Sequence, residues 1–235
     1  MKDLETKGYV VIPNFLDSST IEELKLDYVL QKNIFLLNYD SNKKHNIISC
    51  RYKLDHLLKD VVSRITAETN LSLGELSISG GYFDNQISQF EWHQDHEPYF
   101  KYKDSYNAVN FWIPFIKEYP DKSGLSVIPH DEFYKQSPDV YKSQIEGKGA
   151  KVFLVKNNTT VMRDDSSQTS DILPFDINNL SVTPDLNVGD LLILRQDLIH
   201  RTQDTVNERV AISVRCYAKD AQVVNASDFN QWLSK

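Results

Sequence analysis

Gln89-Phe90-Glu91-Trp92-His93-Gln94-Asp95-His96 is the stretch on which the reading of this chain turns. Phe90 and Trp92, with Pro98 close behind, favour a strand that then turns. Side chains alternate between faces along a strand, so His93 and Asp95 share one face. An imidazole and a carboxylate placed side by side can each hold one corner of a divalent ion. His93 and His96 would share a face only on a helix, and nothing around them has helical character. A polar turn with no metal at all fits the same residues on spacing alone.

A third ligand has to come from elsewhere. His200 follows the turn signal Gly189-Asp190 and the apolar run Leu191-Leu192-Ile193-Leu194. Two histidines and one carboxylate make a facial triad with open positions, the ligand set of non-haem Fe(II) oxygenases. A lone histidine at a strand start is more often structural, and His200 gains its meaning from the distant pair. His45 and His56 fall in the polar, helical N-terminal region and are expected at the surface. His130, after Pro129, is expected beside the site as a supporting or lid residue.

Nine residues beyond His200 begins Arg209-Val210-Ala211-Ile212-Ser213-Val214-Arg215. Arg209, Ala211, Ser213 and Arg215 share one strand face; Val210, Ile212 and Val214 share the other. With only Ala and Ser as neighbours on its face, Arg209 has room to offer its guanidinium fork to a carboxylate. Arg215 is the alternative anchor, and a surface ion pair would account for any single arginine.

The rest of the chain bounds these readings. Its 235 residues suffice for one well-cored domain. A net charge of −7 with no Lys/Arg block argues against nucleic acid or an anionic membrane as partner. Two cysteines, Cys50 and Cys216, make a disulfide framework improbable. No signal-peptide core or membrane-length apolar run is present, so a soluble cytoplasmic protein is expected.

Gly8 to Pro13 reads as a first strand, and Asp17 or Ser18 can cap a helix through Ile21, Leu24 and Tyr28. A second helical stripe runs through Leu54, Leu58, Val61 and Ile65. From Leu71 on, short β-rich segments alternate with turn residues, with strands expected near 75–83, 87–95, 107–116, 124–129, 151–155, 180–183, 190–194, 198–203 and 208–218. The expected class is mainly β with flanking helices: a double-sheet jelly roll with the N-terminal helices packed outside. A single domain over 1–235 divides into 1–70 (first strand and helices), 71–218 (jelly-roll core) and a polar lid or insert at about 130–180. Within that insert, Asn157–Thr160 and Arg163–Ser170 read as exposed loop.

These residues together resemble the phytanoyl-CoA dioxygenase family of Fe(II)/2-oxoglutarate oxygenases. Gly8 to Leu16 looks like its N-terminal segment and His93-Gln94-Asp95 like its metal motif. Asn110-Phe111-Trp112-Ile113-Pro114 is similar to its tryptophan strand, and Ser123 to Pro129 to the next turn and strand. Gly189 through His200 and on to Arg209 resembles its distal-histidine segment. The resemblance implies a cupin-like double-stranded β-helix, with Fe(II) held by His93, Asp95 and His200. It implies 2-oxoglutarate on Arg209, contacted also by Thr202, with O2 as co-reactant. Asn110 and Trp112 are expected in the pocket wall. Relatives that halogenate carry Gly or Ala at the Asp95 position. The family's usual Gly-Ser-His after Ile-Pro is replaced here by His130-Asp131-Glu132 beyond Pro129.

The expected function is hydroxylation of a small-molecule substrate, in a biosynthetic setting or otherwise, with release of succinate and CO2. Two alternatives stand beside it: a non-catalytic jelly-roll binding protein, and a cupin-type metalloenzyme that does not use 2-oxoglutarate. Substrate and oligomeric state stay open.

Overall fold

The structure is a computed structural model that describes residues 1–39, 47–76, 80–101, 107–119, 124–203 and 206–221. His45, Ser123 and parts of the expected 75–83 strand lie outside the described residues.

A short helix α1 (Lys2–Thr6) leads into β1 (Tyr9–Ile12) and the long α2 (Ser18–Leu37). The Asp17 carboxylate accepts from Thr20 N at 2.8 Å and caps α2 by satisfying an amide that has no intrahelical acceptor. Next come β2 (Ile48–Ser49), α3 (Asp55–Glu68), β3 (Leu73–Leu76), β4 (Gly81–Asp84) and α4 (Glu97–Lys101). β5 (Val109–Lys117) and β6 (Leu125–Ile128) precede α5 (His130–Gln136) and α6 (Pro138–Val140), which runs into a π turn at Tyr141–Ile145. A meander of β7 (Lys151–Lys156), β8 (Thr159–Asp164) and β9 (Thr169–Leu173) follows. The last strands are β10 (Leu191–Arg195), β11 (Ile199–Thr202) and β12 (Arg209–Ala218).

All pairings are antiparallel. The major sheet has the order β1-β10-β5-β12-β4-β2, with β3 also on β12. A minor layer contains β11-β6 and β7-β8-β9. This is the jelly-roll arrangement, mainly β with helices outside.

Strand parity divides the major sheet. Phe111, Ile113, Phe115, Ile193, Val210 and Ile212 pack with Leu24, Tyr28, Leu58 and Ile65, so the helices cover that face. Trp112, Leu192, Leu194 and Ala211 turn the other way and form a separate apolar cluster with Val127 and Leu198. Polar contacts fasten α2 to the sheet: Tyr28 Oη donates to Asp84 Oδ2 at 2.6 Å, and Tyr82 Oη to Asp27 Oδ2 at 2.6 Å. The face left uncovered by helices is where polar residues of β12 and β5 point.

Three expectations are corrected. Residues 87–95 do not form a strand; only His93 pairs, as an isolated bridge residue. Around 180–183 the chain makes a 3-10 turn, Ile177–Leu180, with a single bridge from Val182 to Val127. The 130–180 stretch is regular: of the residues expected in exposed loop, Thr159-Thr160 open β8, with Thr160 buried, Arg163-Asp164 end it, and Thr169-Ser170 open β9. Its Phe133, Tyr141, Ile145, Phe153, Met162 and Leu173 pack in one buried cluster with Trp92, Ile128 and Ile199. β8, the middle strand, turns Thr160 and Met162 inward, while the edge strand β9 is exposed over its first four residues and carries no apolar alternation to reveal it.

Candidate metal centre and its pocket

His93 sits between two strands. Its backbone exchanges hydrogen bonds with His200 of β11, both at 3.0 Å, and it also bridges to Val152 of β7. Directly opposed residues of an antiparallel pair point to the same side. The two imidazoles therefore stand together, with ring centroids 4.3 Å apart. Asp95 reaches the same place from two residues on: its Oδ1 lies 3.9 Å from His93 Nε2 and 3.8 Å from His200 Nε2. These gaps are too long for hydrogen bonds. One atom from each residue lies within 4.8 Å of the others, leaving room for an ion among them.

Second contacts orient the donors. His93 Nδ1 meets Glu91 O at 2.7 Å and His200 Nδ1 meets Leu198 O at 3.0 Å. A carbonyl can only accept, so each Nδ1 carries the proton and each Nε2 keeps its lone pair toward Asp95. Burial, and then the neighbouring His200, pull His93 down to about 3, against the opposing effect of Asp95. The imidazole is thus neutral near pH 7. Burial pushes the Asp95 carboxyl up, but Arg215 and the two histidines together hold it below the usual carboxylate range. Gln94 points the other way, fully buried, and donates to Asp197 O at 2.6 Å and Ile145 O at 3.1 Å. It fastens the His93–Asp95 segment to the turn that precedes His200.

The three residues line a cavity of about 610 Å³. Asn110, Trp112, Thr202, Ser213 and Arg209 line it as well. Thr202 Oγ1 accepts from Phe90 N at 3.1 Å, and Asn110 Oδ1 accepts from Ser213 Oγ at 2.6 Å. Every position that the sequence reading assigned to ligand or cosubstrate binding is therefore in one pocket. His130 and His56 are not. His130 is buried with Nε2 3.6 Å from Asp197 Oδ1, and His56 is exposed.

Arg209 is 2% exposed, and among the described residues no carboxylate lies within ion-pair distance of it. Its Nη1 donates to Phe83 O at 3.3 Å, its guanidinium lies 5.0 Å from the Trp112 ring centroid, and its Nε has no partner. Burial pulls it down to about 10, with Asp84 opposing. Buried charges are ordinarily paired; this one faces a cavity, so a ligand carboxylate fits it. Arg215, the alternative anchor, is already engaged: Nη2 lies 3.6 Å from Asp95 Oδ1 and Nη1 donates to Glu97 Oε2 at 2.6 Å.

The sequence reading missed several wall residues. Phe83 and Phe90 form an aromatic side of the pocket, their rings 6.0 Å apart. Asp165 joins from the end of β8, held by Arg163 Nε at 2.6 Å and His96 Nε2 at 3.1 Å. Asp165 lay in a polar run without periodicity, and only the fold of the meander brings it to the pocket.

No protein-family model matches the sequence, and no curated protein matches it. Solved structures do share its fold. The non-heme alpha-ketoglutarate-dependent carbocyclase SnoK from nogalamycin biosynthesis aligns with a TM-score of 0.59 at 11% identity, over 98% of this chain and 88% of that one. EvdO2 from Micromonospora carbonacea var. aurantiaca, complexed with 2-oxoglutarate, gives 0.58 at 12% identity over 95% and 91%. HygX from Streptomyces hygroscopicus, with nickel and 2-oxoglutarate bound, gives 0.52 at 11% identity over 96% and 90%. At such identities the likeness is one of fold.

Proposed function

We propose that this chain is a single-domain Fe(II)- and 2-oxoglutarate-dependent oxygenase, akin to the phytanoyl-CoA dioxygenase family and cytoplasmic, that hydroxylates a small molecule. One observation carries the reading: two tethered histidines and an anionic carboxylate converge in the same cavity as a buried arginine that meets no carboxylate among the described residues. A cupin-type metal site without 2-oxoglutarate, or a binding module, gives no reason to keep that arginine's charge out of water. EvdO2, complexed with 2-oxoglutarate, and HygX, with nickel and 2-oxoglutarate bound, share this fold and support a divalent metal used with 2-oxoglutarate.

In this reading His93 Nε2, His200 Nε2 and an Asp95 oxygen hold the ion. Iron with 2-oxoglutarate and O2 supplies an oxidant able to break a C–H bond, releasing succinate and CO2. The protein's part is placement. Arg209 receives the far carboxylate of 2-oxoglutarate through its fork, with the Trp112 ring against its plane and the Thr202 hydroxyl beside it. Phe83, Phe90 and Val152 provide apolar wall for the substrate, keep water from the reacting centre and hold the C–H bond in reach.

Titration with Co²⁺ and then 2-oxoglutarate, followed by a substrate screen scored by succinate, tests the proposal. Metal-dependent binding of 2-oxoglutarate that is lost in Arg209→Met is expected. A protein that takes up Co²⁺ but is indifferent to 2-oxoglutarate would show the cupin-type alternative to be correct.

A further inference from the structure

Arg215 shares the pocket face of β12 with Arg209, but its register partner is Asn110, at the far end of β5 from Lys117, which pairs with Arg209. That difference puts the two guanidinium groups at different ends of the site. Arg215 meets the metal-side carboxylate: its Nη2 is 3.6 Å from Asp95 Oδ1, the same oxygen that faces His93 and His200. A half-buried cation beside a ligand oxygen has two opposed effects. Its positive charge, one Nη2 3.6 Å from Oδ1, draws the carboxylate toward one direction, as contacts behind a metal ligand do. Its charge also repels any cation that the carboxylate is meant to hold, and burial weakens the screening.

Glu97 resolves the conflict. Its Oε2 accepts from Arg215 Nη1 at 2.6 Å, a closer contact than Arg215 makes with Asp95. Such a short charge-assisted bond offsets the guanidinium charge while leaving its geometry in place. Glu97 opens α4 two residues after Asp95, so carboxylate, guanidinium and counter-charge form one compact unit. We propose that Arg215 and Glu97 act as a neutral positioning pair for Asp95: Arg215 aims the carboxylate at the histidine pair, and Glu97 cancels the charge that would otherwise oppose the ion. This rests on the metal reading given above.

The two roles predict a non-additive pattern. Glu97→Gln leaves the guanidinium in place without the Glu97 counter-charge and should weaken divalent-ion binding. Removing Arg215 as well takes that repulsion away, so the double variant should bind more tightly than Glu97→Gln alone. Merely structural residues would give losses that add or worsen. Arg215→Met alone should keep a site but change its ligand-field spectrum, because Asp95 is no longer aimed.

Co²⁺ titration of the full chain by calorimetry, with the d–d absorption bands recorded, decides the matter. The set is wild type, Glu97→Gln, Arg215→Met, the double variant and His93→Ala. A loss of about tenfold or more in Glu97→Gln, largely recovered in the double variant, is the expected result. Wild-type affinity in Glu97→Gln, or a double variant no tighter than Glu97→Gln, would overturn the pair's role while leaving the triad standing. Co²⁺ binding that is absent, or unchanged in His93→Ala, would overturn the metal reading and the pair with it. Glu97 is 27% exposed on its side chain, so Glu97→Gln carries the test even if Arg215→Met does not fold.

Discussion

His93 and His200 are bound to each other before any metal is considered. Their backbones exchange two hydrogen bonds of 3.0 Å, and the same pairing sets their rings 4.3 Å apart. The spacing of the two nitrogen donors is therefore built into strand pairing, and the rings need no packing of their own to stay together.

This separates ligand loss from fold loss. His93→Ala or His200→Ala keeps the backbone exchange and removes only a ring at the cavity wall. Co²⁺ affinity should fall by roughly a hundredfold or more, with the far-ultraviolet spectrum of the metal-free protein unchanged. Retained affinity together with full succinate production in either variant would refute the assignment of that histidine.

Arg209→Met should move two measurements in opposite directions. Losing a partner of a desolvated charge pair costs about 2–5 kcal/mol, so the 2-oxoglutarate requirement should rise more than tenfold. The metal-free protein, relieved of an unpaired buried cation, should gain about 1 kcal/mol or more in urea unfolding. If Arg215→Met produces the same pair of effects, the two arginines have been assigned the wrong way round.

His130 makes stability depend on pH. Burial, opposed by Asp197, holds its pKa below the ordinary 6.5. The unfolded chain then takes up a proton that the folded chain refuses, so stability is complete above pH 6.5 and falls as pH drops through that value. One such histidine contributes a slope of at most about 1.4 kcal/mol per pH unit. Urea unfolding of the metal-free protein between pH 7.5 and 5.5 should be flatter in His130→Gln by that share. Parallel slopes would mean that His130 titrates in the folded state as it does in the unfolded one.

Amide exchange tests the character of residues 130–180. β7 and β8 pair along their whole length and Phe153 and Met162 sit in a buried cluster, so their amides should be strongly protected in the free protein. β9, whose first four residues are exposed, should exchange faster. Rapid exchange throughout β7 and β8, slowed only by added metal, 2-oxoglutarate and substrate, would identify the segment as the lid expected from its composition.

Asp95 bears on the outcome of oxidation. With a carboxylate in the third ligand position, the protein leaves that position to no halide. Product formed in bromide buffer should contain added oxygen, or show loss of hydrogen, and no bromine by mass spectrometry. A brominated product from the unmutated chain would contradict Asp95 as a ligand.

Much of the site was legible because its parts are local. The i, i+2 spacing of His93 and Asp95 survives even though the segment is not a strand, since extended backbone at one bridge residue is enough to aim both inward. The face parity of β12 placed Arg209, Ser213 and Arg215 on the pocket side and Val210, Ile212 and Val214 under the helices. The Asp17 cap and the Leu58–Val61–Ile65 stripe located two helices by the same kind of short-range rule. The meander of β7, β8 and β9 was only partly legible, because the inward positions of β8 include the polar Thr160, so burial alternates where hydrophobicity does not, and β9 is exposed over its first four residues.

By itself, then, the sequence determined the facing of side chains within each segment and the mainly β class, since both follow from alternation over a few residues. Only the tertiary structure decided that His200 lies opposite His93, that among the described residues Arg209 meets no carboxylate while Arg215 is held by Asp95 and Glu97, and that Asp165 reaches the pocket. These are matters of register between strands distant in the chain. Register is selected by the fit of whole sheets and helices to one another, and no local pattern carries that information.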